Sequence, residues 1–196
     1  MSEQGHKQRQ QKLKEKVDAR IEAAQQEKGL LLVITGNGKG KSTSAFGTVA
    51  RAAGHGLKCG VAQYIKGTWA CGERDLLSQH GVDFHVMSTG FTWDTQDKTA
   101  DTQAAQQIWA ACQAMLADDR YDLVVLDEIT YMITYDYISL DEVIDALQQR
   151  PSEQSVIITG RGAHRRLVEI ADTVSEVRNV KHAFDAGVKA RQGIDW

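Results

Sequence analysis

The sequence predicts an α/β fold in which a mostly parallel sheet of about six strands is covered by helices on both faces. Two observations predict it. Short apolar runs typical of strands buried on both faces recur at residues 30–34, 59–65, 123–126 and 155–159. Helical patterns separate these runs, and strands that alternate with helices form parallel sheets with right-handed crossovers.

The stretch after the first predicted strand carries the most informative motif. Glycines alternate there with polar residues, and a small-residue helix is predicted over residues 44–53. Glycines let backbone N–H groups converge on one point, and a helix N-terminus adds its positive end, so the stretch predicts a phosphate-binding loop. We expect it to bind a nucleotide through Gly36, Asn37, Gly38, Lys39, Gly40, Lys41, Ser42 and Thr43.

This loop is similar to a Walker A motif and departs from it at one position. Lys41 would reach the phosphates, and the Ser42 hydroxyl would bind a magnesium ion. Counting back from Gly40 places Thr35 where the usual pattern has its first glycine. The loop is therefore either one residue shorter than usual or begins with a threonine. The structural alternative is a glycine-rich turn without a ligand.

The next strand, at residues 59–65, leads through a loop at 66–69 to a short helix predicted at 73–79. Alternation of apolar and polar residues then indicates a half-exposed edge strand that carries Val82, Phe84 and Val86.

A polar loop at residues 88–99 carries two large aromatic side chains, Phe91 and Trp93. Exposed aromatics are costly unless something covers them, so they either anchor the loop or contact a ligand. The following helix has a predicted buried stripe of Ala105, Ile108, Cys112 and Met115 or Leu116.

Two acids, Asp127 and Glu128, follow the buried strand at residues 123–126. In a protein with a Walker A loop this arrangement is a Walker B signature, in which the strand brings a carboxylate beside magnesium. Either acid could be the closer ligand, so we treat them as a pair. The structural alternative is an acid pair that caps the start of a helix.

Ser139 and Glu142 have the spacing of a capping box, which predicts a helix that ends before Pro151. A buried strand at 155–159 is followed by Arg161 between two glycines. This arginine could contact phosphate or ribose, or it could be a surface residue on a turn.

The two ends of the sequence differ from its centre. Residues 1–28 predict a polar helical arm, separate from an α/β domain at 29–196, whose last strand is predicted at 173–177. Residues 182–196 show no periodicity. The arm is either solvated or a lid over a site or a neighbouring subunit, because it carries one narrow apolar stripe of Leu13, Val17, Ile21 and Ala24.

Composition limits the classes of function. A net charge of −3 without a sustained basic face argues against nucleic acid as a partner. The three cysteines suit neither a disulfide framework nor a zinc site, so we expect free thiols and a cytoplasmic protein. No run approaches the roughly 20 apolar residues of a membrane span, and the N-terminus is polar, so no membrane association is expected.

Phosphate binding alone does not name a reaction. A regulatory GTPase would need Asn-Lys-x-Asp and Asp-x-x-Gly motifs, and neither occurs. A kinase similar to thymidine kinase would usually carry a four-cysteine zinc site, which three cysteines cannot form. The motifs leave open a nonenzymatic ATP-dependent switch, which would leave the loop aromatics unexplained.

A further set of motifs extends over nearly the whole chain and comprises residues 36–42, 65–69, 72–74, 89–93, 125–128, 159–162 and 180–187. Together these motifs resemble the P-loop class of ATP:corrinoid adenosyltransferases. Ser42 stands where that family usually has threonine, which keeps the hydroxyl. Ala70 and Cys71 replace a commoner Pro-Asn pair, which puts the geometry of that loop in question.

The resemblance implies a P-loop NTPase-like fold and a specific reaction. The 5′-deoxyadenosyl group of ATP would move to the Co(I) centre of a corrinoid (cobalamin, cobinamide or cobyrinic acid a,c-diamide), releasing triphosphate, in adenosylcobalamin biosynthesis and corrinoid salvage. It further implies Mg²⁺, a homodimer, and an electron donor such as reduced flavodoxin or flavin. It assigns Phe91 and Trp93 to excluding an axial ligand from Co(II), and implies a triphosphate that lies reversed along the loop.

Overall fold

The computed structural model describes residues 3–65, 70–87 and 98–196. Within these ranges, six strands form one sheet in which every pairing is parallel. The strands are β1 (Leu31–Thr35), β2 (Cys59–Gln63), β3 (Asp83–Val86), β4 (Leu123–Asp127), β5 (Ser155–Thr159) and β6 (Thr173–Glu176). The predicted α/β fold with a parallel sheet is confirmed.

Helices connect the strands and account for most of the remaining described chain. They are α1 (Glu3–Ala23), α2 (Lys41–Gly54), α3 (Gly72–Gln79), α4 (Lys98–Ala117), α5 (Ile129–Thr134), α6 (Leu140–Gln149) and α7 (Arg165–Ile170), with a 3₁₀ turn at Phe184–Ala186. None of the described helices is long and apolar enough to cross a lipid bilayer.

The strand order is β3-β2-β4-β5-β1-β6, so β5 separates β1 from β4. In a parallel sheet the carboxyl ends of all strands meet at one edge, where ligands of open α/β folds bind. The loop after β1, the acid pair Asp127 and Glu128 at the end of β4, and the turn after β5 therefore lie at the same edge.

Two apolar cores lie on opposite faces of the sheet, because successive residues of a strand point to opposite sides. Val124 and Leu126 belong to one core, and Val125 between them belongs to the other. Helix α2 covers the second core through buried Phe46 and Val49, while residues of α4, α5, α6 and α7 cover the first. Helices on both faces were predicted and are confirmed.

Several boundaries and packing details differ from the sequence-based expectations. Leu30 is 43% exposed and precedes β1, so the first strand begins one residue later than predicted. In α4 the fully buried Trp109 belongs to the core stripe, whereas Ile108 is only partly buried. The edge strand β3 is half-buried throughout, as predicted.

The capping-box motif predicts the start of α6 correctly, but the capping hydrogen bond expected from the Ser139 side chain is not formed. Ser139 is the N-cap residue of α6, with extended backbone. The residue is exposed, so water can satisfy the first amides of the helix. Helices α5 and α7 were not predicted; each has only six residues, too few to show a helical period.

The amino-terminal arm is a helix whose apolar stripe is exposed. Leu13, Val17 and Ile21 are 56%, 45% and 66% exposed, and none of the described residues covers them. The arm meets the domain at Lys28, which forms a salt bridge with Asp172. The amide of the next residue, Gly29, donates a hydrogen bond to the Ser152 carbonyl at 2.7 Å.

Candidate active site

A cleft of about 270 Å³ lies at the carboxyl edge of the sheet. Residues 37–43 line it together with Glu128 and Arg161, which sequence analysis had selected as site residues. Its other lining residues are Ile65, Glu73, Tyr131, His182, Ile194 and Asp195. The cleft brings together the loop after β1, Glu128 after β4 and the turn after β5, whereas the predicted site residues Gly36 and Asp127 are not part of its lining.

The glycine-rich loop begins at residue 36, because Thr35 is the last residue of β1. The Thr35 hydroxyl accepts a hydrogen bond from the Ala163 amide at 3.2 Å, which ties this strand to the turn after β5. The loop is therefore the shorter of the two alternatives that the sequence left open.

The backbone conformation of the loop depends on two glycines, Gly38 and Gly40. Gly40, the N-cap of α2, has φ 117°, a conformation that side-chain-bearing residues rarely adopt. Gly38 donates its amide to the Val177 carbonyl at 2.7 Å, and a Cβ on it would lie 2.7 Å from Arg178 backbone atoms. The loop therefore packs against the chain after β6, while residues 41–43, the first turn of α2, line the cleft.

Lys41 is the first residue of α2 and is only 6% exposed. Its Nζ donates to the Gly38 carbonyl at 2.9 Å. Burial lowers the pKa of this ammonium, the negative charges of Glu128 and Asp127 counteract the shift, and the Arg161 charge adds to it. The four charged groups therefore form one electrostatic cluster at the loop.

Asp127 is buried, at 1% exposed, and neutral donors from both neighbouring strands hold it. The Thr159 hydroxyl donates to its Oδ1 at 2.7 Å, and Gln63 Nε2 lies 3.4 Å from its Oδ2. Thr159 Oγ1 also accepts from the Glu128 amide at 2.9 Å. One hydroxyl thus fixes both members of the acid pair.

Glu128 turns from the strand into the cleft through an unusual backbone conformation. Its φ of 64° lies in the left-handed region, and the residue is the N-cap of α5. Such a conformation is uncommon for a residue with a side chain, and it occurs often at functional sites. The adjacent acids therefore differ in environment: Asp127 is buried in the sheet and Glu128 faces the cleft.

Arg161 lies on the turn after β5, and α5 fixes this turn. Thr130 Oγ1 donates to the Arg161 carbonyl at 2.8 Å. Gly160 lets that helix approach, since a Cβ at this position would lie 2.0 Å from Thr130 Oγ1. Arg161 and Tyr131 both line the cleft.

Sequence reasoning missed several residues of the site, one of which, Gln63, lies beside Asp127 and not in the lining of the cleft. Gln63 shows no pattern beyond its place at the end of a strand, although β2 pairs it with Asp127 in register. His182, Ile194 and Asp195 come from the segment without periodicity, and only the fold brings them to the loop.

Other predicted site residues lie outside the described ranges. They are Phe91 and Trp93, and the loop at 66–69 also lies outside these ranges. Within the described ranges, no group of three or more His, Cys, Asp or Glu side chains could hold a metal ion.

Comparison with known proteins decides the family. Residues 27–196 match the family described as ATP:corrinoid adenosyltransferase BtuR/CobO/CobP, and residues 1–21 match one described as Cob(I)alamin adenosyltransferase N terminal. The chain belongs to the ATP:corrinoid adenosyltransferase family. The resemblance read from the sequence motifs is confirmed.

Relatives agree with the family match over the full length of this adenosyltransferase. A corrinoid adenosyltransferase of Escherichia coli (strain K12) is 62% identical over 196 residues, all of both chains. The corrinoid adenosyltransferase CobA of Salmonella typhimurium (strain LT2) has the same identity and coverage. One from Pseudomonas aeruginosa is 47% identical, over 99% of this chain and 97% of its own. The enzyme catalyses ATP-dependent adenosyl transfer to corrinoids in cobalamin biosynthesis.

Proposed function

We propose that the cleft binds the triphosphate of ATP and turns the ribose C5′ towards a corrinoid. Co(I) supplies an electron pair to C5′, a cobalt–carbon bond forms, and the C5′–oxygen bond breaks with its electron pair going to the leaving triphosphate. The observation that carries this proposal is the meeting of buried Lys41, the amino end of α2 and the acid pair at one edge of the sheet. These groups suit charge stabilisation of a leaving group.

The loop residues divide the phosphate contacts among backbone and side chains. Backbone amides and the amino end of α2 hold the phosphate oxygens, and Lys41 neutralises the charge that develops on the leaving group. Arg161 contacts phosphate or ribose. The proposed binding set is Gly36, which begins the loop outside the cleft lining, with Asn37, Gly38, Lys39, Gly40, Lys41, Ser42, Thr43 and Arg161, which line the cleft.

The donor set at the end of β4 fits a magnesium ion. Carboxylate and hydroxyl oxygens are the hard ligands that Mg²⁺ takes, usually together with water and substrate phosphates. Ser42 and Glu128 line the cleft, while Asp127 is fixed behind them by Thr159. We propose Ser42, Asp127 and Glu128 as the residues that hold the ion, directly or through water; Mg²⁺ would neutralise charge on the triphosphate.

The corrinoid side of the reaction is proposed to use Phe91 and Trp93. Pressed against the lower face of the corrinoid, two apolar rings would exclude both the axial ligand and water from Co(II). An electron-rich axial donor makes reduction harder, so its exclusion would bring Co(I) within reach of reduced flavodoxin or flavin. Cobalamin, cobinamide and cobyrinic acid a,c-diamide are the candidate acceptors, in biosynthesis and in salvage.

The arm, residues 1–28, is proposed to cover the corrinoid pocket of its own or a partner subunit in a homodimer, with residues 29–196 as the domain that binds both substrates. The exposed stripe of Leu13, Val17 and Ile21 supports this, because an apolar face of a helix needs burial. We also propose the cytoplasm as the place of action, since Cys59, Cys71 and Cys112 form no disulfide bond.

The products of ATP test this proposal. Chemically reduced corrinoid is added to enzyme and ATP, the cobalt–carbon chromophore is followed, and the phosphate product is separated. Triphosphate in equal amount to the new chromophore is the expected result; ADP would mean a kinase.

Lys41→Ala is the matching loss-of-function variant. Losing a charge-assisted hydrogen bond costs about 1.5–3 kcal/mol, so ATP binding should weaken by at least about tenfold, with a further loss of turnover. Lys58→Ala, which removes a lysine paired with Asp83 at the edge strand, is the control and should behave as the wild type. Normal turnover by Lys41→Ala would place this lysine away from the phosphates.

A further inference from the structure

A turn at residues 191–196 reaches the phosphate loop and contributes a carboxylate to it. The Asp195 amide donates to the Arg191 carbonyl at 2.8 Å, and the Arg191 amide donates back to Asp195 Oδ2 at 2.8 Å. Lys39 Nζ donates to the other carboxylate oxygen, Oδ1, at 2.6 Å. This carboxylate is therefore held by its own turn on one side and by the phosphate loop on the other.

The two lysines of the loop differ in their partners and exposure. Lys41 is buried and bonded to a loop carbonyl, whereas the Lys39 side chain is 44% exposed and bonded to Asp195, which is itself 26% exposed. A cation with this much freedom can exchange one anionic partner for another at small cost. Hydrogen bonding from Lys39 lowers the pKa of Asp195, so the carboxylate is charged at neutral pH.

The cleft is lined by charged groups of both signs, so an acidic side chain and a bound triphosphate would compete for the same cation. Lys39, Lys41 and Arg161 bring positive charge to its lining, and the carboxylates of Glu73, Glu128 and Asp195 bring negative charge. A bound triphosphate carries several negative charges and would meet Asp195 across the same cleft. Both anions would pair with the same ammonium of Lys39, so each would weaken the other's interaction with it.

We propose that Asp195 sets the affinity of the enzyme for the leaving triphosphate by competing with it for Lys39. The proposal rests on the proposed function, since it needs the triphosphate in this cleft. Asp195 acts through Lys39 and touches no reacting atom, so it is a positioning residue. By competing for Lys39, Asp195 makes it easier for triphosphate to dissociate. Without this competition, a glycine-rich loop with two lysines would bind triphosphate tightly.

Binding of inorganic tripolyphosphate, with Mg²⁺, to the full-length protein tests the proposal by calorimetry. An exposed ion pair of this kind changes affinity by up to about fivefold. Asp195→Asn should therefore bind tripolyphosphate about three- to fivefold more tightly, while Asp195→Glu, which keeps the charge, should remain near the wild type. Asp185→Asn is the matched control, because this neighbouring acid accepts a hydrogen bond from Asn179 and does not line the cleft.

A double-mutant cycle separates competition from a structural effect. In a Lys39→Met background, Asp195→Asn should leave tripolyphosphate affinity unchanged, because the shared partner is gone. Kinetics provide a second measurement: Asp195→Asn should lower the KM for ATP and strengthen inhibition by tripolyphosphate without raising kcat.

Each contrary outcome is decisive. Weaker or unchanged tripolyphosphate binding by Asp195→Asn overturns the competition, and so does a gain that persists without Lys39. Failure of the proposed function appears differently: the wild type would not bind tripolyphosphate, or Lys41→Ala would bind it as well as the wild type does.

Discussion

At the scale of single residues, the acid pair depends on one hydroxyl. Thr159 donates to Asp127 and accepts from the Glu128 amide, and the residue is fully buried. A buried carboxylate without its hydrogen bonds is costly, so this threonine has both a structural and a functional task.

Thr159→Val keeps the shape of the side chain and removes the hydroxyl. Two buried polar groups would then lose a partner, so the free energy of unfolding should fall by about 1–3 kcal/mol. The affinity for Mg²⁺ in the presence of tripolyphosphate should also fall, because Asp127 loses its orientation. Urea denaturation and metal titration measure the two effects. Thr159→Ser keeps the hydroxyl and should retain both properties; equal losses in the two variants would rule out the hydroxyl as the cause.

Phe91 and Trp93 allow a prediction about the oxidation state of cobalt. If they exclude an axial ligand, Phe91→Ala or Trp93→Ala should impair adenosylation that starts from Co(II) far more than adenosylation that starts from chemically prepared Co(I). Phe184→Ala removes an aromatic that is 73% exposed elsewhere and serves as the control. Equal losses from the two starting states would mean that the rings only shape the pocket.

At the scale of elements, the junction before β6 is joined to β1 by an acid. Asp172 Oδ2 accepts from the Leu31 amide at 2.9 Å, its own amide donates to the Leu31 carbonyl at 2.9 Å, and Lys28 pairs with its other oxygen. The bond from the Leu31 amide, with Lys28, lowers the pKa of this carboxyl.

The Asp172 carboxyl has a lower pKa in the folded protein than in the unfolded chain, where it lies near 4. The charged carboxylate therefore stabilises the folded protein at pH values above about 4. This stabilisation is lost as the pH falls through the pKa of the folded protein. Asp172→Asn should therefore lower the free energy of unfolding by about 0.5–1.5 kcal/mol at pH 7, and the difference from the wild type should shrink below about pH 4. Urea denaturation at pH 7 and pH 3 measures it. Asp119→Asn, at an exposed acid, is the control. A difference that is the same at both pH values would contradict a charge effect.

The sequence predicted those elements whose pattern is local. The apolar runs within Leu123–Asp127 and Ser155–Thr159, four and three residues long, are typical of buried strands, and the spacing of Lys41 and Ser42 after the glycines predicts a phosphate loop. Trp109 was missed because α4 packs against both the sheet and α6, which widens its buried face beyond one narrow stripe. The contact of Asp195 with Lys39 joins residues 156 positions apart, and no local pattern encodes it.

At the scale of the whole molecule, the arm stands out because its apolar side chains are exposed. Among the described contacts, Lys28 pairs with Asp172 and the Gly29 amide donates to the Ser152 carbonyl where the arm meets the domain. An apolar face of this kind either remains solvated or finds a second surface when ligands or another subunit arrive.

We predict that saturating corrinoid and ATP protect residues 1–28 from proteases. Replacing Leu13, Val17 and Ile21 with Gln should abolish this protection, because the burial of the stripe drives docking. Replacing Gln8, Glu15 and Glu22 with Ala alters the opposite face of the same helix and should preserve it. Size-exclusion chromatography with light scattering tests the homodimer in parallel. Protease sensitivity that ligands leave unchanged would contradict the lid.

The position of β5 between β1 and β4 has a consequence for hydrogen exchange. Val156, Ile157 and Ile158 are completely buried, and their strand is paired on both sides, so their amides should be among the slowest to exchange in the protein. The edge strands β3 and β6 can open first without disturbing this centre. The phosphate loop and the acid pair are therefore aligned across the most persistent strand of the sheet, and their alignment should survive the fluctuations that admit and release large substrates.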